Sequence, residues 1–231
     1  HLRRAEQVNP QDRRSTHWIR LVTAMQEGLE QAAASGQLNS PEDLVRVGLA
    51  RADAGNHADA MVYFDKAMEQ RPTDPNIHYN RLVSLRSLQR HDEFRESLQT
   101  FRKLFPRDAR GYSMEGRLHA ANGDFEKALL AFLEAVRLSP TNAVFVNNVA
   151  TSLARLERNA EAGESFARVV ELDSEFPNAP YFAAASFSKA GRTKEAGRWM
   201  RYCLEHELVE RRKFEEEGFF AKLRASDDWI R

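Results

Sequence analysis

The pattern of apolar and polar positions along this chain repeats every 34 residues. One column of mostly small side chains reads Gly48, Leu82, Gly116, Ala150 and Ala184. Twelve residues on stand Ala60, Phe94, Ala128, Ala162 and Ala196, and four beyond them the large apolar column Phe64, Leu98, Phe132, Phe166 and Met200. Ala67, Phe101, Ala135, Val169 and Cys203 follow, and Pro72, Pro106, Pro140, Ser174 and Leu208 close the unit. Five units hold this register without insertion, over residues 41–74, 75–108, 109–142, 143–176 and 177–210. Each contains two amphipathic stretches with helical spacing, which predicts a pair of helices per unit.

The punctuation agrees with that division. The turns between paired stretches read "AGNH", "QRHD", "NGDF", "ERNA" and "AGRT", and Gly55, Gly123 and Gly191 share one turn position, where a left-handed residue ends a helix. Proline at the unit ends stops the second helix, because it lacks an N–H and clashes with the preceding turn. "NSPED" supplies Ser40 as a cap and Pro41 at the first helical position. Gly or Ala on one helix beneath a large side chain on the next allows close antiparallel packing. A single pair cannot bury its apolar face, so neighbouring pairs must stack. The fold class expected is all-α, a solenoid of stacked antiparallel helix pairs.

With this period and these columns the chain resembles the tetratricopeptide repeat (TPR) proteins. Their unit has a small residue at position 8, Ala at 20, an aromatic at 24, Ala at 27 and Pro at 32. The resemblance covers residues 41–210 and implies a right-handed α-solenoid of five TPR units plus flanking helices. The third unit matches best. The second departs most, with large Leu82, Phe94 and Phe101 where the family is small, so its pair is expected to splay or the superhelix to bend there.

Both ends leave the register. Residues 13–34 predict a helix with Trp18, Leu21, Val22, Met25, Leu29 and Ala32 on one stripe, followed by the loop "SGQLNS". Set beneath "AFLEAVRLSP", the opening "HLRRAEQVNP" matches at Leu2, Ala5, Val8 and Pro10, like the tail of a repeat's second helix. Residues 1–40 are therefore expected to be a partial repeat tail and one helix, with further repeats preceding them in a parent protein. Over 211–231, Phe214 and Gly218 continue the register into a sixth unit and the rest does not. A terminal helix capping the fifth unit is expected, with a partner-docking helix through Phe219, Phe220 and Trp229 as the alternative.

Composition narrows function mainly by exclusion. Among 231 residues, 34 Lys and Arg balance 34 Asp and Glu, so no overall charge steers the chain to nucleic acid or to an anionic membrane. No apolar run reaches the 18 or so residues of a membrane span, and no targeting segment is visible, so the compartment, cytoplasm or periplasm, stays open. Regular loops and Ala-Gly turns have a bacterial character. The lone Cys203 occupies a small buried column and predicts a small hydrophobe rather than a nucleophile. No two histidines stand at i, i+4 with a neighbouring carboxylate, as a zinc site of the HExxH kind requires. His78 and His119 fall at packing positions, and every notable glycine belongs to a turn or a close helix contact. No catalytic constellation, metal site or cofactor is expected, and the chain is not expected to be an enzyme.

Recognition remains. The resemblance implies that the first helix of each unit lines a concave groove through positions 2, 5, 6, 9, 12 and 13. Those positions carry Arg46 and Asp53, then Asn76, Tyr79, Asn80 and Arg86, then Arg110, Met114 and Arg117. Asn147, Asn148, Thr151 and Arg155 follow in the fourth unit, and Asn178, Tyr181, Phe182 and Lys189 in the fifth. The carboxylate clamp of chaperone-binding TPR domains is absent, since only Asn80 and Arg110 of its five residues match. A family ladder of asparagines at position 6 is met only by Asn80 and Asn148. Arginine suits carboxylates and asparagine suits peptide backbone. The candidate partner-binding residues are Asn80, Arg86, Arg110, Arg117, Asn147, Asn148, Arg155 and Tyr181, and the expected partner is an extended or acidic peptide of another protein. Two other functions fit the same pattern. One is a self-assembling scaffold, a homo-oligomer formed through the convex face or terminal helices. The other is a regulatory region of an enzyme whose catalytic domain lies outside this chain.

Overall fold

The computed structural model describes residues 39–229, together with Gly28 and Ala32. The repeat tail expected over 1–10 and, those two residues apart, the helix expected over 13–34 lie outside the described residues. The chain divides into two compact units, His1–Pro106 and Arg107–Arg231. The first holds α1 (Pro41–Asp53), α2 (His57–Gln70), α3 (Pro75–Ser87) and α4 (His91–Leu104), each packed on the next. The second holds α5 (Ala109–Ala121), α6 (Phe125–Leu138), α7 (Ala143–Arg155), α8 (Asn159–Leu172), α9 (Ala179–Lys189) and α10 (Thr193–Glu205). Its chain then breaks into α11 (Arg211–Glu216), a 3₁₀ turn (Gly218–Phe220) and α12 (Ala221–Arg224). Among the described residues there is no strand, and each unit is an α-solenoid of stacked helix pairs.

Local chemistry sets the helix ends. Ser40, Asp74, Asp108 and Asn142, all in one repeat column, each accept a backbone N–H of the first turn of α1, α3, α5 and α7. The fifth repeat has Phe176 in that column and cannot cap in the same way. Asn178 instead adopts a left-handed conformation with φ 60°. Helix α9 starts at Ala179, two residues later than the 34-residue register predicts, and Asn178 lies outside it. At the other end of α1, α3, α5, α7 and α9 the same pair of reversed hydrogen bonds recurs, such as Asn56 N–H to Arg51 C=O at 2.8 Å with Gly55 N–H to Ala52 C=O at 3.0 Å.

The columns read in the sequence are the core. Ala60, Ala128, Ala162 and Ala196, the large Phe64, Phe132, Phe166 and Met200, and Ala67, Ala135, Val169 and Cys203 are all buried. Their pairing is direct. A Cβ added to Gly48 would stand 2.5 Å from the Phe64 ring, and one added to Gly116 would stand 2.6 Å from the Phe132 ring. In the second repeat Leu82, Phe94 and Phe101 are buried as well, so the extra volume must be absorbed between the helices. There α3 and α4 pack less closely than α1 on α2 or α5 on α6. His78 does structural work in that repeat, with its Nε2 2.7 Å from the Pro72 carbonyl and its ring edge-on to Phe105.

Candidate functional site

The second unit carries most of the predicted binding residues, on the first helices of three successive repeats. Arg117 of α5 is exposed and makes no ion pair among the described residues. Asn147 and Asn148 of α7 are half-buried, and Asn148 Nδ2 donates to the buried Ser113 hydroxyl of α5 at 3.5 Å, the outer limit of a hydrogen bond. Polar side chains on consecutive first helices therefore meet here. Arg155, at the C-terminal end of α7, is exposed, and its guanidinium lies 4.9 Å from the centre of the Phe125 ring. Such stacking fixes a cation without neutralising it.

Two predicted residues have other engagements. Arg110 is half-buried and turned back on its own helix cap, with Nη2 2.6 Å from Asp108 Oδ2. Burial of the Asp108 carboxyl favours protonation. The hydrogen bonds and charge of Arg110 outweigh that, and its pKa lies below the ordinary carboxylate value. Tyr181 is only 6% exposed. It is covered by the C-terminal segment, with Phe214 and Phe220 rings 5.6 and 6.1 Å from its own and the Lys213 ammonium 4.3 Å from its ring centre. The groove-lining role expected of Tyr181 is thus corrected to a core role. Phe214 takes the place that position 4 of a sixth repeat would occupy and brings the segment down onto it. Asn80 is half-buried and Arg86 exposed, both on α3 of the first unit.

The C-terminal segment is not the single helix expected from the sequence. Phe214, Phe220 and Leu223 are fully buried, and Trp229 packs on the same core. Arg224 holds the bend by donating to the Phe214 and Glu217 carbonyls, both at 3.0 Å. The buried Ser188 hydroxyl of α9 donates to the Phe219 carbonyl at 2.7 Å. Gly197 is needed where the chain returns, since a Cβ there would meet the Asp228 carbonyl at 2.7 Å.

By folding back, the segment walls off a cleft of about 870 Å³ at the C-terminal ends of α7 and α9. Phe125, Ala154, Arg155, Ser188 and Lys189 line one part of it, and Gly218, Phe219, Ala221 and Lys222 the other, with Glu157 and Asn159 at the α7–α8 turn. Lys189 lies 4.9 Å from the Phe219 ring centre. Lys222 does not belong to any repeat column, and sequence reasoning missed it. The signal available was the loss of register after Gly218, which shows that "GFFAK" leaves the path of a sixth repeat.

Chemistry is sparse elsewhere. Among the described residues no group of His, Cys, Asp and Glu side chains could hold a metal ion, and no helix is long and apolar enough to cross a membrane. Cys203 is fully buried, and that burial pushes its thiol pKa up to about 12, so thiolate is negligible at neutral pH.

A family model described as tetratricopeptide repeat matches residues 79–143, across the second and third repeats. The pilF protein of Pseudomonas aeruginosa superposes with a TM-score of 0.64 at 20% identity, covering 85% of this chain and 90% of that one. A thermophilic TPR protein of Thermus thermophilus superposes at 0.57 with 20% identity, covering 80% of this chain and 100% of that one. Residues 79–143 thus carry tetratricopeptide repeats, and the chain has the TPR fold. Among curated relatives it is 24% identical, over 53% of its length, to the small glutamine-rich tetratricopeptide repeat-containing protein 2 of Mycosarcoma maydis. It is 32% identical, over 37% of its length, to the peroxisomal targeting signal receptor of Saccharomyces cerevisiae. The matched segments span only 37% and 14% of those relatives. The TPR fold is that of a protein–protein interaction module.

Proposed function

We propose that this TPR chain is a non-catalytic receptor for an extended, acidic peptide segment of a partner protein. The segment is held on the face of the second unit that presents Arg117, Asn147, Asn148 and Arg155. The observation that carries this is the contact between polar side chains of consecutive first helices, Asn148 and Ser113, beside Arg117 and Arg155, which pair with no carboxylate among the described residues. Asparagine amides can hold a peptide backbone by donor and acceptor together, and the guanidinium groups select carboxylates. A relative of similar repeats bears the name of a targeting signal receptor, which supports peptide recognition as the use of the surface.

The test is an array of immobilised 12-residue peptides of varied charge, probed with the full chain and with Arg117→Glu/Asn147→Ala. The wild-type chain is expected to retain acidic peptides, and the variant, still helical by circular dichroism, to lose them at least tenfold. An unchanged binding pattern in the variant would remove this face from consideration.

A second function has its own observation. On α6 of the same unit Leu133 is 46% exposed, and with Leu129, Val136 and Val146 it lines a hollow of about 540 Å³ that Arg158, Glu161, Glu164 and Arg168 also line. Such a patch suits self-association into a scaffold. Light scattering across concentration, with Leu133→Lys as control, distinguishes it, because only a scaffold gains mass with concentration and loses that gain in the variant.

A further inference from the structure

We propose that the cleft between the C-terminal ends of α7 and α9 and the folded-back C-terminal segment anchors the peptide. Its ligand is an acidic stretch whose carboxylates flank one large apolar side chain. This rests on the receptor function proposed above and assigns it a specific subsite.

The argument begins with how cations are used in this unit. Arg137, Arg158, Arg168 and Arg192 each hold a glutamate within their own or a neighbouring helix, and Arg110 holds Asp108. Arg155, Lys189 and Lys222 make no ion pair among the described residues, and all three line the same cleft. Two of them are laid over the rings of Phe125 and Phe219 instead. A ring face holds a cation in place while leaving its charge to be met from outside. Among the described residues that line the cleft Glu157 is the one carboxylate, so an excess of positive charge is kept there in a chain that is neutral overall.

Shape points to the rest of the ligand. About 870 Å³ lies within the range of small-ligand sites and is far more than one carboxylate fills. Besides the cations the lining includes Ala154, Gly218 and Ala221 with the Phe125 and Phe219 rings, small and apolar surfaces that suit a Leu- or Phe-sized side chain. The cleft is also held in shape. Ser188, buried, ties the Phe219 carbonyl to α9, and Arg224 fixes the bend before it. An anchor built on such ties loses little entropy when it is filled.

The experiment is a titration of the full ¹⁵N-labelled chain with the amidated peptide acetyl-Glu-Glu-Leu-Glu-Glu-amide, followed residue by residue by NMR. Shifts are expected to concentrate at Arg155, Lys189 and residues 218–222 and to saturate below about 1 mM peptide. Lys189→Gln with Lys222→Gln is expected to weaken binding at least tenfold, and the same peptide with Lys in place of Glu to leave the spectrum unmoved. Shifts confined to Arg117 and Asn147, with the cleft silent, overturn the anchor and leave the receptor function standing. Affinity unchanged in the double variant overturns the anchor too. Tighter binding in the cleft by acetyl-Gly-Gly-Leu-Leu with a free carboxyl terminus would reassign it to a chain end. No shift anywhere overturns both proposals.

Discussion

One turn position shows how much a single residue decides. Gly55, Gly123 and Gly191 end their helices with φ of 84°, 80° and 75°, while repeats two and four place Gln89 and Glu157 there at 56° and 59°. The turn geometry is thus imposed by stacking, whichever residue sits in it. A side chain in the left-handed region costs about 1–2 kcal/mol, and glycine none of that. Part of the gain from inserting glycine is offset by the extra freedom it gives the unfolded chain. Glu157→Gly is therefore expected to stabilise the second unit by about 0.5–1 kcal/mol, measured as a rise in urea midpoint. Gln89→Gly should do the same in the first unit. Only Glu157→Gly should also tighten an acidic peptide, because only Glu157 lines the cleft.

At the scale of the helix, the cap column carries comparable weight. Asp108 accepts the Arg110 N–H at 3.0 Å and its side chain as well, so one carboxylate starts α5 and holds the Arg110 guanidinium against the helix cap. Replacing an N-cap aspartate by alanine costs about 1 kcal/mol, and Asp108→Ala is expected to show this in denaturant unfolding at neutral pH. The sign with pH follows from the lowered pKa. The contribution is full above the unfolded carboxylate value, roughly pH 4, and fades as pH falls through the folded one. Wild type and variant should therefore differ by a constant amount from pH 8 to about 5 and converge below about 4.

The same column shows what the sequence can say about an element. Helix pairs were legible because Gly48 beneath Phe64 and Gly116 beneath Phe132 are repeated local solutions to one packing problem. The late start of α9 was legible in principle, since Phe176 cannot cap. The fate of Tyr181 was not, because the segment that lays Phe214 and Phe220 on it leaves the repeat register after Gly218. Where such a segment lands depends on tertiary contacts alone. Lys222 and the cleft share that origin.

For the whole molecule the relevant quantity is how its charges are distributed. With 34 cations against 34 anions the chain has no net field to gather a partner from a distance. Among the described residues most ion pairs join side chains three or four apart on exposed helix surfaces, such as Arg137–Glu134 and Arg158–Glu161. Pairs of this kind contribute at most a few tenths of a kcal/mol each. Salt should then act differently on folding and on recognition. Screening shortens from about 10 Å at 0.1 M to about 3 Å at 1 M, which removes little from a fold built on buried Ala, Phe and Met columns. Arg155, Lys189 and Lys222, without an ion pair among the described residues, would meet carboxylates only when the proposed ligand arrives, so screening falls directly on binding. Raising sodium chloride from 0.05 to 0.5 M is expected to weaken the acidic peptide by roughly tenfold, the loss of about 1.4 kcal/mol shared among three cations. Over the same range the thermal midpoint should move by no more than a degree or two. Calorimetric titration and thermal scans in matched buffers check both halves. Binding that resists salt would mean that apolar contacts with Phe125 and Phe219 hold the ligand and that the cations only border it.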